Sequence, residues 1–222
     1  MRKFLLVCGI LSSLLYIVTD ILAAMKWEGY SCASQTISEL MAIGAPTRPL
    51  LVALFSVYNL LVIAFGMGVL GSADRKRALR FTGAMLFVYG AVGQVGLLFT
   101  PMHLRGARVS ATDTMHIIIT MMLVLLLVLS IGFGAAARGH WFRLYSIGTI
   151  LTFLIFGALA GLQVPRIAAQ LPTPWLGVME RVSAYSSLLW VVVLAIVLLP
   201  AQKSKAPLAA ATSNDCGGRN RI

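Results

Sequence analysis

The chain has 222 residues, of which 59% are hydrophobic and 11% are charged, and its formal net charge is +11. Soluble domains are about 45–50% apolar and about 25% charged, so this composition excludes a soluble globular protein and indicates a membrane protein. Lys and Arg residues that flank apolar spans explain the positive charge, and we therefore expect no nucleic-acid partner.

The predicted elements are six apolar stretches, each long enough to cross a bilayer as a helix that satisfies its own backbone hydrogen bonds. They lie at residues 4–24, 50–70, 81–100, 115–137, 144–164 and 182–199. The first stretch is longer than the apolar core of a secretory signal peptide, so we expect an uncleaved span. The pattern predicts one all-α transmembrane domain over residues 1–200 and a disordered cytoplasmic tail over residues 201–222.

The distribution of Lys and Arg predicts the orientation of these spans. The side with both termini and residues 71–80 and 138–143 carries 12 of them, and the opposite side carries six. Cytoplasmic loops are enriched in Lys and Arg, so we expect both termini in the cytoplasm and the chain in a bacterial inner membrane.

Acidic residues and histidines are distributed in the opposite way. Those on the predicted outer side are Asp20, Glu28, Glu39, Asp113, Glu180, His103 and His116. If the protein has a site, we expect it at the outer face.

A polar stripe is predicted near the outer end of the first span. Asp20 lies about five residues inside that end, and a charge exposed to lipid there would cost roughly 2–3 kcal/mol or more. Ser12, Ser13, Tyr16 and Thr19 share its face at helical spacing. Two interpretations stay open: a buried hydrogen-bonding stripe that fixes helix packing, and a ligand or proton site.

The first outer loop contains the capping-box pattern Thr36-Ile37-Ser38-Glu39. In this pattern a Thr side chain and a Glu three residues later satisfy the first N–H groups of a helix. Gly44-Ala45-Pro46 then ends the apolar run. We expect a short helix on the outer surface that forms a partial lid, with Glu39 acting as a cap or in a site.

The second outer loop, from Pro101 onward, offers a possible metal site. Asp113 and His116 share a face at the start of the fourth span, and together with His103 they could ligate a zinc ion with one position open for water. The spacing matches no standard metal motif. Arg105 is expected to pair with Asp113 or Glu180, so we predict that an arginine engages Asp113 and that no cofactor is tightly bound, with zinc as the alternative.

The third outer connection delivers Glu180 and Arg181 to the top of the sixth span. Adjacent residues of a helix diverge by about 100°, so each should find a partner on another loop. Glu180, Ser183, Ser187 and Trp190 follow one face. This face indicates either a polar groove that enters from outside or an interhelical salt bridge.

Two small-residue patterns predict close helix packing. The first is the pair Gly157 and Gly161 in the fifth span, and the second is the stripe Gly83, Gly90 and Gly93 in the third.

Three of these segments resemble a known family. They are Ile37-Ser38-Glu39-Leu40 with Gly44-Ala45-Pro46, Pro101-Met102-His103-x-Arg105-Gly106 with Asp113-Thr114-Met115-His116, and Glu180-Arg181. The chain resembles, over about residues 5–200, the bacterial six-span membrane family DUF998. The resemblance implies a six-helix membrane fold with polar signature residues on the outer side, and it implies no established activity.

The functional hypothesis is a polar pocket at the outer face that binds a lipid, a small molecule or a partner helix. The residues expected to converge there are Asp20, Glu39, His103, Arg105, Asp113, His116, Glu180 and Arg181. Membrane lipids are the expected partners, and a partner protein or homo-oligomer stays open.

Two other function classes stay open. One is a membrane-embedded hydrolase acting on a lipid-like substrate, in which His103, Asp113 and His116 hold a metal and Glu39 or Glu180 is the general base. The other is a transporter, which the absence of charges in the cytoplasmic halves of the spans disfavours.

Overall fold

A computed structural model describes residues 1–200 and contains eight helices and no extended strand in that range. The long helices are α1 (Arg2–Lys26), α3 (Arg48–Leu70), α4 (Arg77–Phe99), α5 (Ala111–Ala136), α6 (His140–Gly161) and α8 (Leu176–Leu198). Two short helices, α2 (Ile37–Leu40) and α7 (Val164–Ala168), lie in the connections. The predicted all-α fold is confirmed, and the predicted tail over 201–222 lies outside the described residues.

All six long helices are long and apolar enough to cross a membrane. The chain is therefore a multi-pass membrane protein. All six long helices begin two to six residues before the apolar stretches that predict them. α5 begins at Ala111 because Ser110 and Asp113 form a capping box, and α8 begins at Leu176. The polar residues near the beginning of α5 and of α8 therefore belong to these helices and not to the loops before them.

The six long helices form a closed ring in which each packs against its neighbours in chain order and α8 returns to α1. The tightest pair is α3 and α4. A Cβ atom added at Gly83 would lie 2.7 Å from the backbone nitrogen of Leu70, so only glycine permits this approach. The predicted close approach at Gly161 is not found, because a Cβ atom there would meet nothing within 4 Å.

The two ends of the ring differ. The long-loop end carries residues 27–47, 100–110 and 162–175, whereas the short-loop end carries residues 71–76 and 137–139. The short-loop half is filled by an apolar cluster around Trp190, which is fully buried and donates from its ring nitrogen to the hydroxyl of Ser146 at 2.9 Å.

Candidate functional site

A cavity of about 240 Å³ lies inside the ring, in the half next to the long-loop end. All six long helices contribute to its wall. Its polar lining includes Ser38, Arg48, His116 and Glu180, which stand at or beside the loop ends of their helices. The lining nearer the middle of the ring is uncharged: it combines apolar side chains (Leu123, Val124, Leu127, Phe153 and Leu188) with hydroxyl and amide groups of Tyr16, Tyr58, Asn59 and Tyr89. The cavity therefore has a polar end with the charged residues, and an uncharged end whose wall is largely hydrocarbon.

Glu39 and Arg105 form a two-pronged ion pair that joins two loops. Arg105 donates from Nε to Oε1 of Glu39 at 2.5 Å and from Nη2 to Oε2 at 2.8 Å. The Glu39 side chain is fully buried, whereas that of Arg105 is 29% exposed. The hydrogen bonds to Glu39 raise the pKa of Arg105. Bidentate pairing of this kind fixes both charge and direction.

The same glutamate closes the predicted capping box. The backbone N–H of Thr36 donates to Oε2 of Glu39 at 2.8 Å, and the Glu39 N–H donates to the Thr36 hydroxyl at 3.1 Å. Arg105 also donates to the Thr173 hydroxyl, which in turn donates to the carbonyl of Ser34. The three long connections are therefore held together at this point.

Asp20 and Arg181 form a second two-pronged ion pair, between α1 and α8. The guanidinium donates to the two carboxylate oxygens at 2.8 and 2.9 Å, and the Tyr185 hydroxyl donates to the same carboxylate at 2.5 Å. Arg181 also donates to the Tyr30 hydroxyl at 2.9 Å and to the carbonyl of Cys32 at 2.8 Å. Burial raises the pKa of Tyr30. The pair thus ties the first loop to two spans.

Glu180 holds the beginning of α2. Its Oε2 accepts the backbone N–H of Ile37 at 2.6 Å, and its Oε1 accepts the Ser38 hydroxyl at 3.4 Å. Glu180 and Arg181 are adjacent in the chain but have separate partners, as predicted. Glu180 binds the loop after α1, whereas Arg181 binds both α1 and that loop. Unlike Glu39, Glu180 also lines the cavity.

Asp113 and His103 form a local pair at the start of α5. The carboxylate accepts the His103 backbone N–H at 2.7 Å and lies 3.0 Å from Nδ1 of the same histidine. It also accepts the N–H and the hydroxyl of Ser110, both at 2.8 Å. The prediction that an arginine engages Asp113 was wrong: this carboxylate is satisfied by its own cap, while the fully buried Glu39 takes Arg105.

His116 stands apart from that pair. Its Nδ1 lies 3.0 Å from the carbonyl oxygen of Thr100, which can only accept a hydrogen bond. Nδ1 is therefore the protonated nitrogen in this contact, and Nε2 is left for another partner. The side chain lines the cavity.

The three residues predicted as possible zinc ligands are not assembled into one ligand set. His103 and Asp113 are in contact, but His116 turns its Nδ1 to Thr100. Within residues 1–200 no group of three or more His, Cys, Asp or Glu side chains is arranged to hold a metal ion.

The eight predicted site residues thus divide into three groups. One group surrounds residues 30–39 and comprises Asp20, Glu39, Arg105, Glu180 and Arg181. His103 and Asp113 form the second group. His116 alone forms the third group. Sequence reasoning missed Arg48, which lines the cavity, because its position before an apolar stretch is typical of an ordinary flanking charge.

Comparison with known proteins gives one match. A family model described as a protein of unknown function (DUF998) matches residues 10–197. No curated protein and no solved structure matches the chain.

Proposed function

Because the chain belongs to the DUF998 family, whose function is unknown, we propose its activity from its own geometry: it binds an amphipathic, lipid-like molecule in the cavity at the long-loop end. This end faces the outside of a bacterial inner membrane, and both termini lie in the cytoplasm. Membrane lipids are the partners from which the ligand is drawn.

The observation that carries the proposal is the division of the cavity into a polar end with charged residues and an uncharged end that is largely hydrocarbon. Arg48, His116 and Glu180 stand where the spans meet the long loops, and side chains such as Leu127 and Leu188 lie deeper in the ring. Ligand sites combine an apolar lining with a few polar groups that fix orientation. A molecule with a polar head and a hydrocarbon chain matches this order.

The size and access of the cavity agree with part of a lipid. Its volume of about 240 Å³ is slightly below the roughly 300–1,000 Å³ of sites for drug-sized ligands, so a head group with the first part of a chain fits better than a whole lipid. Thr120 of α5 both lines the cavity and is exposed, and residues 157–159 of α6 are also exposed. A chain can therefore leave sideways past Thr120 into the bilayer.

The other function classes receive less support. A transporter needs a polar path across the bilayer, but below the cavity the ring is filled by the cluster around Trp190. For a hydrolase, the candidate base Glu39 is held by Arg105 and lies outside the cavity wall, which leaves Glu180 as the base that hypothesis would use.

A neutral photo-crosslinking probe tests the binding proposal. The probe is a monoacylglycerol with a diazirine on its acyl chain, incorporated into vesicles with the purified protein. We expect label on Ser187 and Leu188, which are buried and line the cavity, so that bulk lipid on the outer surface of the ring does not reach them.

Two matched variants separate cavity binding from contact with surrounding lipid. Thr120→Trp should reduce labelling of Ser187 and Leu188 several-fold, because the indole fills the side opening. Ile117→Trp lies one turn away on the same helix, is 52% exposed and does not line the cavity, so it should change nothing. Equal labelling in wild type and both variants, or label on lipid-exposed residues alone, would refute the proposal.

Orientation is tested with the native cysteine of the first loop. Cys32 is exposed at the long-loop end, whereas Cys8 is buried. A membrane-impermeant maleimide should label Cys32 in intact cells, and Cys32→Ser should abolish that label. In a Cys216→Ser background, which removes the cysteine of the C-terminal tail, labelling that requires permeabilisation would place the long-loop end in the cytoplasm.

A further inference from the structure

The arginines that hold the long-loop end together are matched with carboxylates, but the arginine in the cavity wall is not. Arg105 pairs with Glu39, and Arg181 pairs with Asp20. Among residues 1–200, Arg48 has no Asp or Glu oxygen within 4 Å. Within the same range its side chain donates one hydrogen bond, from Nη1 to the backbone carbonyl of Met41 at 2.7 Å.

Over the described residues, this leaves a half-buried guanidinium with most of its donors unused. Arginine carries five N–H donors in a planar fork that matches carboxylate and phosphate groups. Arg48 is also the first residue of α3, where the helix dipole places partial positive charge rather than the negative charge that would favour a cation. The part of the chain around it therefore does not neutralise this charge.

Neighbouring polar groups limit where an anion could sit. Glu180 also lines the cavity, but both of its oxygens already accept hydrogen bonds from residues 37 and 38 of α2. His116 lines it from α5 and has Nε2 left over after its contact with Thr100. An anion next to Glu180 would be repelled, whereas one on the Arg48 side is attracted.

We propose that the amphiphile bound in the cavity has an anionic head group, a phosphate or a carboxylate, that pairs with Arg48. This inference rests on the proposed function and adds to it the chemical class of the ligand. The head group lies against the guanidinium at the polar end, and the first part of the acyl chain lies against the apolar lining toward Leu127. His116 borders the same end and is available to a hydroxyl group of the head.

Competition against the neutral probe tests the head group. Protein in vesicles carries the monoacylglycerol diazirine probe, and three unlabelled competitors of equal chain length are added: a phosphatidic acid, a fatty acid and a diacylglycerol. We expect the two anions to displace the probe at concentrations at least about tenfold lower than the diacylglycerol, because a hydrogen-bonded charge contributes roughly that much. The anion that displaces the probe at the lower concentration identifies the head group as a phosphate or as a carboxylate.

Variants assign this preference to one side chain. Arg48→Gln should lower the anion preference, which is the ratio of the competing concentrations of diacylglycerol and anion, about tenfold, and Arg48→Lys should retain part of it. Arg108→Gln is the matched control, since Arg108 is exposed in the loop at the same end and does not line the cavity. Label on Ser187 and Leu188 in each variant shows that the cavity is still formed.

The outcomes distinguish this inference from the proposed function. Equal displacement by anionic and neutral competitors would overturn the proposal of an anionic head group that pairs with Arg48. An anion preference that is retained in Arg48→Gln would do the same. Neither result would contradict binding of an amphiphile in the cavity. If Arg108→Gln lowered the anion preference as much as Arg48→Gln does, the preference would arise from general surface charge, and this result would also overturn the inference. Failure of the probe to label Ser187 and Leu188 would instead remove the proposed function.

Discussion

The two halves of the ring are stabilised in different ways. The long-loop half is joined by ion pairs between distant segments, such as Glu39 with Arg105 and Asp20 with Arg181. The short-loop half is joined by apolar packing around Trp190 and by the close approach of α3 and α4 at Gly83. In lipid the hydrophobic effect does not drive helices together, so close packing and polar contacts must do so. Close packing occurs in both halves, at Gly83 in one and at Gly177 in the other, and the long-loop half adds the buried ion pairs between distant segments.

This division explains how a cavity can persist at the long-loop end. The apolar cluster around Trp190 packs the short-loop half, whereas directional ion pairs hold the loops over the long-loop end without filling the space beneath them. The capped helix α2 and the residues before it form this cover, and Arg105, Glu180 and Arg181 secure it from other segments. Binding and stability are therefore coupled at the long-loop end.

The largest effect is expected from Arg105→Ala. This change leaves the fully buried Glu39 carboxylate without its cation, and breaking a buried pair costs about 3 kcal/mol or more. The free energy of unfolding, measured by SDS titration in a fixed detergent, should fall by about that amount. Labelling of the cavity by the neutral probe should fall with it, because the cover is secured by this pair.

Arg108→Ala supplies the control for that measurement. Arg108 is an exposed neighbour in the same loop, and exposed substitutions change stability by about 0.5 kcal/mol or less. If Arg105→Ala behaved like Arg108→Ala, the ion pair would not stabilise the long-loop half, and the comparison between the two halves would fail.

A smaller effect is expected in the short-loop half from Gly83→Ala. The added methyl group would press on the backbone of α3, 2.7 Å from the nitrogen of Leu70 and 2.9 Å from the carbonyl oxygen of Gly66. Overpacking of this kind costs about 2 kcal/mol. The same SDS titration should show the loss, while labelling of Ser187 and Leu188 should stay near the wild-type level in folded protein.

Gly148→Ala is the matched control on α6. A Cβ atom there meets nothing within 4 Å, and alanine favours the helix by at most about 1 kcal/mol, so stability should hold or rise slightly. If Gly83→Ala were equally harmless, close packing of α3 and α4 would not be what stabilises this half.

Local signals in the sequence determined the helices and their caps. The six spans follow from the length of apolar stretches, and the capping box of Thr36 and Glu39 follows from a pattern four residues long. The separation of Glu180 from Arg181 follows from helical spacing alone. Each of these depends on residues that are close in the chain, where geometry is set by the helix itself.

The tertiary structure decided which distant groups meet. Arg105 and Arg181 each had several possible carboxylates, and their choice of Glu39 and Asp20 depends on how the loops fold over the ring. Asp113 needed no arginine because the N–H and hydroxyl of Ser110 and the backbone N–H of His103 donate to it, and the His103 ring lies 3.0 Å away. Arg48 acquires its place in the cavity wall only when six helices close around a common space. Pairing between distant charges depends on relative positions in space, and these positions are set by packing rather than by local spacing along the chain.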